Sequence, residues 1–272
     1  MSDLATAIAP TARHSAVNEL RLLSYNIQVA TGSSRLRHYL TRSWRHVLPH
    51  PESFSNLDCI ASTIKDYDIV ALQEADAGSL RSAYVNQTEY VAQKAGFPYW
   101  WHQSNRQIGT IAHHSNGMLS RLKPIEVSEH KLPGRIPGRG AMVARYGSDN
   151  EYLIVVVLHL SLIGRQARMQ QLGFLSEIIQ GENHVVMMGD FNCTGQSYEI
   201  RRFVEQAGLM MPEKRFDTFP SWKPVRNIDH ILLSPSLEVK EMRVLAETTS
   251  DHLPIAVDIR LPFSLNGTED NS

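Results

Sequence analysis

The chain has 272 residues, 42% of them hydrophobic, enough for one large α/β core or two smaller ones. Its formal net charge of -1 excludes the global basic surplus of proteins that track a nucleic-acid backbone, leaving only a local patch for that purpose. Two cysteines, Cys59 and Cys193, stand far apart without zinc spacing. With no basic and apolar leader before them they read as reduced thiols, and a cytoplasmic protein is expected. No run reaches ~18 apolar residues, so no transmembrane segment is expected, and a monomer is the simplest state.

In chain order, residues 1–18 are small and polar and read as a flexible arm, residues 19–263 as a single domain, and residues 264–272 as a flexible tail. The first strand runs from Leu20 to Ile27 and ends in Asn26-Ile27-Gln28. The basic, aromatic segment Arg35 to His50 predicts a short helix stopped by Pro49 and Pro51. A second helix, capped by Ser55 or Asn56, runs through Ile60 and Ile64 to Asp66-Tyr67. Asp68-Ile-Val-Ala-Leu-Gln-Glu74 is a β-branched run suited to burial on both faces. It closes in a carboxylate, costly there unless paired, hydrogen-bonded or holding a cation.

Thr88 to Gly96 predicts a helix with Gly96 as its C-cap, and Phe97 to His102 an aromatic strand. Arg106 to Ser115 is polar; adjacent His113 and His114 point to different sides of any regular element and make a poor metal pair. Strands follow at Asn116–Ser120, Ile125–His130, Ala141–Tyr146 and Tyr152–Leu158, the last two joined by a turn at 147–150. Between the second and third of these strands Lys131 to Gly140, rich in proline and glycine, reads as a mobile loop carrying Arg135 and Arg139. Beyond His159 and Gly164 comes a helix with a Leu172, Leu175 and Ile179 stripe, closed by Gly181. Val185 to Met188 is a short buried strand whose tip presents Asp190 and Asn192, side by side if the chain stays extended. A helix over Tyr198 to Gly208 precedes a long irregular loop, Met210 to Arg226, holding Phe216, Phe219 and Trp222. The last strands are Ile228–Leu233, Leu237–Leu245 and Pro254–Ile259, the final one shortly after Ser250-Asp251-His252.

Six apolar strands thus carry a polar residue at one edge: Asn26, Glu74, His159, Asp190 with Asn192, Asp229, and Asp251 with His252. Each alone is an ordinary strand reaching solvent; together they are the residue types of a hydrolytic phosphate site set on a rigid scaffold. Hard oxygen ligands select Mg²⁺ or Mn²⁺, and histidines with an aspartate supply proton transfer and charge stabilisation.

The ordered set Leu23-Ser-Tyr-Asn-Ile27, Val70-Ala-Leu-Gln-Glu74, Asn116-Gly-Met-Leu-Ser-Arg121, Leu158-His-Leu160, Gly189-Asp-Phe-Asn192, Ile228-Asp-His-Ile231 and Ser250-Asp-His252 resembles the endonuclease/exonuclease/phosphatase superfamily. The resemblance implies a four-layer α-β-β-α sandwich of two packed mixed β-sheets. It implies a metal-dependent phosphoric ester hydrolase, of nuclease or lipid or small-molecule phosphodiesterase type, with a phosphomonoesterase or a non-catalytic binding module as alternatives. Carried over residue by residue, it makes Glu74 the principal metal ligand, assisted by Asn26 and Asp251. Asp190 would align or deprotonate the attacking water, and Asn192 would hold that water or the phosphate. His252, paired with Asp229, would face the scissile phosphate, and His159 would stand beside the leaving oxygen as a candidate general acid. Gln28 and His159 depart from the abasic-site endonuclease pattern, which has an aspartate and a tyrosine there. Substrate choice would lie in the loops, with Arg37, His38, Arg42, Arg45, Asn116 and Trp222 as candidate contacts to a nucleic acid, phospholipid or inositol phosphate headgroup.

Overall fold

A computed structural model of the protein describes residues 17–30, 51–134 and 137–265. Two mixed sheets form its middle. The first runs β10-β11-β1-β2-β4-β3, with β1 (Val17–Asn26), β2 (Ile69–Asp76), β3 (Tyr99–Ile108), β4 (Ala112–Ser120), β10 (Glu238–Val244) and β11 (Ile255–Leu265). The second runs β5-β6-β7-β8-β9, with β5 (Glu126–Lys131), β6 (Gly140–Gly147), β7 (Tyr152–His159), β8 (Val185–Asp190) and β9 (Asp229–Leu233). Leu20, Leu22, Val155, Val157, Val186 and Ile231 interdigitate between the sheets. Helices α1 (Pro51–Ile64) and α2 (Gln87–Ala95) cover the outer face of the first sheet, burying Leu57, Ile60, Ile64 and Val91 against Leu23, Val70 and Leu72. Helices α3 (Arg165–Ile178) and α4 (Tyr198–Ala207) cover the second, with Leu172, Leu175, Ile200 and Phe203 packed on Val156, Met187 and Leu232. The architecture is the expected four-layer sandwich, with β1 and β2 parallel in one sheet and β7 and β8 parallel in the other.

The helix signals work as local chemistry predicts. Asn86 caps α2 by accepting from the Thr88 and Glu89 N–H groups, and Gly96 closes it in the left-handed region. Ser197 and Gly208 do the same for α4. Helix α1 starts earlier than its serine and asparagine suggest, at Pro51, because a first turn does not use the N–H that proline lacks. The polar stretch after His102, given no element from the sequence, is a hairpin, β3 turning at Gly109 into β4. Its outer half is exposed on both faces, so no apolar alternation marks it. No helix among the described residues is long and apolar enough to cross a membrane. The basic segment Arg35 to His50 lies outside the described residues.

Candidate active site

Strand polarity gathers the polar ends. The parallel pairs β1–β2 and β7–β8 finish at one edge of the sandwich, where the antiparallel strands β9 and β11 begin. Register does the rest in the second sheet: His159 pairs with Asp190, and Asp190 pairs with Asp229. Neighbours in register share a face, so these three point together into the space between the sheets. Gly189 makes that pairing possible, since a Cβ there would stand 1.9 Å from the Leu158 carbonyl oxygen.

Asp190 is the hub. Its Oδ2 accepts from Asn26 Nδ2 at 3.1 Å, across the sheet interface, and lies 3.5 Å from His159 Nε2 and 3.9 Å from His252 Nε2. Asp229 Oδ2 accepts from His252 Nδ1 at 2.8 Å and from the Thr218 hydroxyl. That contact fixes the ring and leaves Nε2 facing Asp190. Asn192 departs from the expected extended geometry: β8 ends at Asp190 and Asn192 sits at φ 54°. The turn lets its N–H donate to Asp190 Oδ1 at 2.8 Å while its Nδ2 donates to the Leu160 carbonyl at 3.0 Å.

Glu74 is placed by a bulge. Gln73 and Glu74 together oppose Asn116 of β4, and Glu74 takes φ 56°, a strained conformation for a residue with a side chain. The bulge turns its carboxylate toward the site, 3.8 Å from His159 Nε2. Asp251 lies beside the Asn26 end of β1, its loop tied there by the Ser250 hydroxyl donating to the Asn26 carbonyl.

Charge is crowded here. Burial and then the Asp229 charge raise the Asp190 carboxyl to about 7, against the pull of His252. Burial likewise lifts Asp251 to about 6, helped by Glu74 and Asp229. For His252 burial acts downward, yet the charge and hydrogen bond of Asp229, with Asp190 and Asp251, carry it up to about 10. His159 goes the other way, lowered well below its ordinary value by burial and by Arg139. Arg139 Nη1 stands 2.9 Å from its Nδ1 and 3.0 Å from its Nε2. A neutral imidazole has one acceptor nitrogen, so Nη1 donates to that one, and the guanidinium charge beside the ring disfavours its cationic form.

Two donor sets could hold a divalent cation. Asp190, Asp229 and His252 lie close enough together for one ion. However, His252 Nδ1 is engaged by Asp229 and its ring is held cationic, which removes it as a ligand. Glu74, Asp251 and Asn26 fit better, since burial and the Glu74 charge raise the Asp251 carboxyl and a cation would relieve that repulsion. Asn26 keeps one lone pair for that role, because its Oδ1 already accepts from the Gln28 N–H.

The other expected contacts divide. Asn116 lines the cavity next to Glu74 and His159, its Nδ2 donating to the Gly140 carbonyl. Trp222 is half-buried, and among the described residues it makes no hydrogen bond or ring contact with the site. Instead Phe219 of the same loop packs against His252, ring centres 4.9 Å apart, and the Ser221 N–H donates to the Asp251 carbonyl. Arg37, His38, Arg42 and Arg45 lie outside the described residues. Three groups escaped the sequence reading. Arg139, expected on a mobile loop, is packed against His159; the signal was an arginine between two glycines leading into a strand. Asp76 accepts from Arg81, Ser79, Ser82 and two backbone N–H groups. Arg81 in turn donates to His114, which lines the cavity.

Known structures share this arrangement of strands and helices. A family protein from Bacteroides vulgatus superposes with a TM-score of 0.68 at 19% identity, covering 89% of this chain and 99% of its own. A mannosyl-6-phosphatase from Bacteroides thetaiotaomicron gives 0.65 at 20% identity, covering 88% and 99%. A humanized D. rerio TDP2 gives 0.63 at 18% identity, covering 90% and 100%. At such identities the likeness concerns the fold. No curated protein sequence matches the chain. The profile of the Endonuclease/Exonuclease/phosphatase family matches residues 23–252, from the strand that delivers Asn26 to the histidine held by Asp229, and the chain belongs to that family.

Proposed function

We propose that the protein is a divalent-metal-dependent phosphodiester hydrolase that directs a water in line at phosphorus. The observation that carries the reading is the convergence of Asn26, His159 and His252 on Asp190 at the seam of the two sheets. When bound at Glu74, Asp251 and Asn26, Mg²⁺ or Mn²⁺ would supply charge neutralisation at a phosphoryl oxygen. Asp190, with a carboxyl raised toward neutrality, orients the water and takes its proton. His252, held cationic by Asp229, faces the charge that develops on the phosphoryl oxygens. Asn192 braces Asp190 through its N–H and keeps its side chain against the Leu160 carbonyl. His159 is kept neutral, so in this reading it donates a hydrogen bond to the leaving oxygen rather than acting as an imidazolium acid.

The similarity in fold to a mannosyl-6-phosphatase favours a second reading, a phosphomonoesterase acting through the same groups. Both are tested by hydrolysis of bis(4-nitrophenyl) phosphate and 4-nitrophenyl phosphate with Mn²⁺, with chelator as control. Asp190→Asn is expected to lower turnover about 10²–10⁴-fold while circular dichroism stays native. Full activity in that variant would remove Asp190 from the mechanism, and monoester hydrolysis alone would select the second reading.

A further inference from the structure

On the His159 side of Asp190 the site opens into a cavity of about 310 Å³ lined by Asn105, Arg106, His114 and Arg139. Arg139 bears on the hydrolytic groups through the His159 ring; no contact joins Arg106 to any of them among the described residues. The exposed Arg106 side chain has no hydrogen-bond or ion-pair partner among the described residues. Arg139 spends one nitrogen on the His159 ring and leaves the rest of its fork free. His114 adds a third donor: its Nδ1 lies 3.4 Å from Arg81 Nη2, and a guanidinium can only donate. Nδ1 therefore accepts, and the ring proton sits on Nε2. Arg81 itself is locked by Asp76, so the tautomer is set from behind.

The two arginines are brought together by the backbone. A Cβ on Gly138 would stand 2.8 Å from Arg106 Cβ, and one on Gly140 would stand 2.3 Å from Asn105 Oδ1. The Pro137–Gly140 chain thus lies directly on β3, and Arg139 and Arg106 line one cavity, close enough for the Arg106 charge to act on Arg139. Glu74 lines the same cavity and its charge acts on Arg139, but among the described residues no ion pair joins either guanidinium to a carboxylate. Like charges held in one cavity repel unless an anion sits between them. Planar forks of this kind match phosphate and carboxylate oxygens two at a time.

We propose that this cavity is a subsite for a second anionic group of the substrate, a phosphate or carboxylate next to the scissile phosphoester on its His159 side, and that Arg106 selects for it. This rests on the hydrolase reading above. The second phosphate can belong to a neighbouring nucleotide or to the terminal monoester of a small polyphosphorylated molecule.

The test compares the dinucleotide TpT with TpTp and pTpT, which each add one terminal phosphate, and a diglycerol phosphodiester with and without a terminal phosphate, all with Mn²⁺. In the wild type the added phosphate is expected to raise kcat/KM about tenfold, mainly through KM, the size of one or two charged hydrogen bonds. Arg106→Ala should abolish that gain and leave bis(4-nitrophenyl) phosphate hydrolysis within about twofold, since a diester without a second anion has nothing there to pair. Arg106→Lys should restore part of the gain. A gain confined to dinucleotides assigns a nucleic-acid source; a gain with the glycerol diester assigns a small polyphosphate. No gain in the wild type, or a gain that survives Arg106→Ala, overturns the subsite. If the wild type cleaves none of these diesters, the hydrolase reading fails, and calorimetric binding of TpTp against TpT to the same protein then decides the subsite. Equal affinities would overturn it, and tighter TpTp binding that Arg106→Ala removes would uphold it.

Discussion

Asp229 Oδ2 accepts from both His252 Nδ1 and the Thr218 hydroxyl, so the carboxylate is fixed before any substrate arrives. An imidazole this buried would by itself shed its proton; the neighbouring acids reverse that and hold it at about 10. Replacing Asp229 by Asn keeps the shape and removes the charge. The His252 titration, followed by NMR on the metal-free protein, is expected to move down, with turnover falling about 10²-fold as the cation facing phosphorus is lost. An unchanged titration would show that Asp190 and Asp251 suffice. His159 illustrates the opposite case on the same edge, because its nearest charged neighbour is a guanidinium. Two histidines that look alike in sequence are thus set to opposite protonation states by what the fold places against them. Pairing of Asp229 with His252 was legible only through family resemblance, and Arg139 was legible as an arginine between two glycines but not as a neighbour of His159. Its packing depends on glycines letting one segment lie on a distant strand.

Among the elements, β2 shows what the site costs. Its apolar run was plain in the sequence, as were β7 and β8, since strands buried on both faces need no alternation to be recognised. The bulge at Gln73–Glu74 left no such mark, because it follows from how β4 pairs rather than from local composition. The β3–β4 hairpin was hidden for a related reason: a ribbon exposed on both sides carries no hydrophobic period. The left-handed conformation of Glu74 gives a direct measure of strain. Glu74→Gly and Glu74→Ala both remove the carboxylate and should both abolish metal-dependent turnover. The Gly variant is expected to be more stable than the Ala variant by about 1 kcal/mol in urea unfolding, since only it relaxes at positive φ. Equal stabilities would mean that the backbone straightens once the carboxylate is gone.

Across the whole molecule, Asp190, Asp251 and His252 bear on stability in one direction, and His159, lowered below 6.5, opposes them under that pH. Asp190 and Asp251 bind protons more tightly folded than unfolded, between the ordinary carboxylate value of 3.8 and about 7 and 6. His252 does so between 6.5 and about 10. Wherever the folded state holds more protons, stability falls as pH rises, so these groups favour the metal-free fold at lower pH and weaken it from pH 4 toward pH 10. A divalent cation at the carboxylates displaces those protons. Mg²⁺ or Mn²⁺ is therefore expected to raise Tm by a larger increment at pH 8 than at pH 5, read by scanning calorimetry with chelator as reference. A pH-independent increment would place the cation away from Asp251.

The contact between Asn26 and Asp190 has a consequence of its own, because it joins one sheet to the other. Asn26, Glu74 and Asp251 travel with the first sheet; His159, Asp190 and Asp229 travel with the second. No covalent link sets their spacing at the edge; the interleaved side chains from Leu22 to Val157 do. Sliding one sheet about 1 Å over the other would separate the two half-sets while most of the apolar interior stayed covered, a displacement that can cost ~10²-fold in rate. Turnover in this protein is then a gauge of inter-sheet alignment. Substitutions such as Val157→Ala, in the interleaved layer rather than among the reacting groups, should dim activity at temperatures where the secondary structure is still complete.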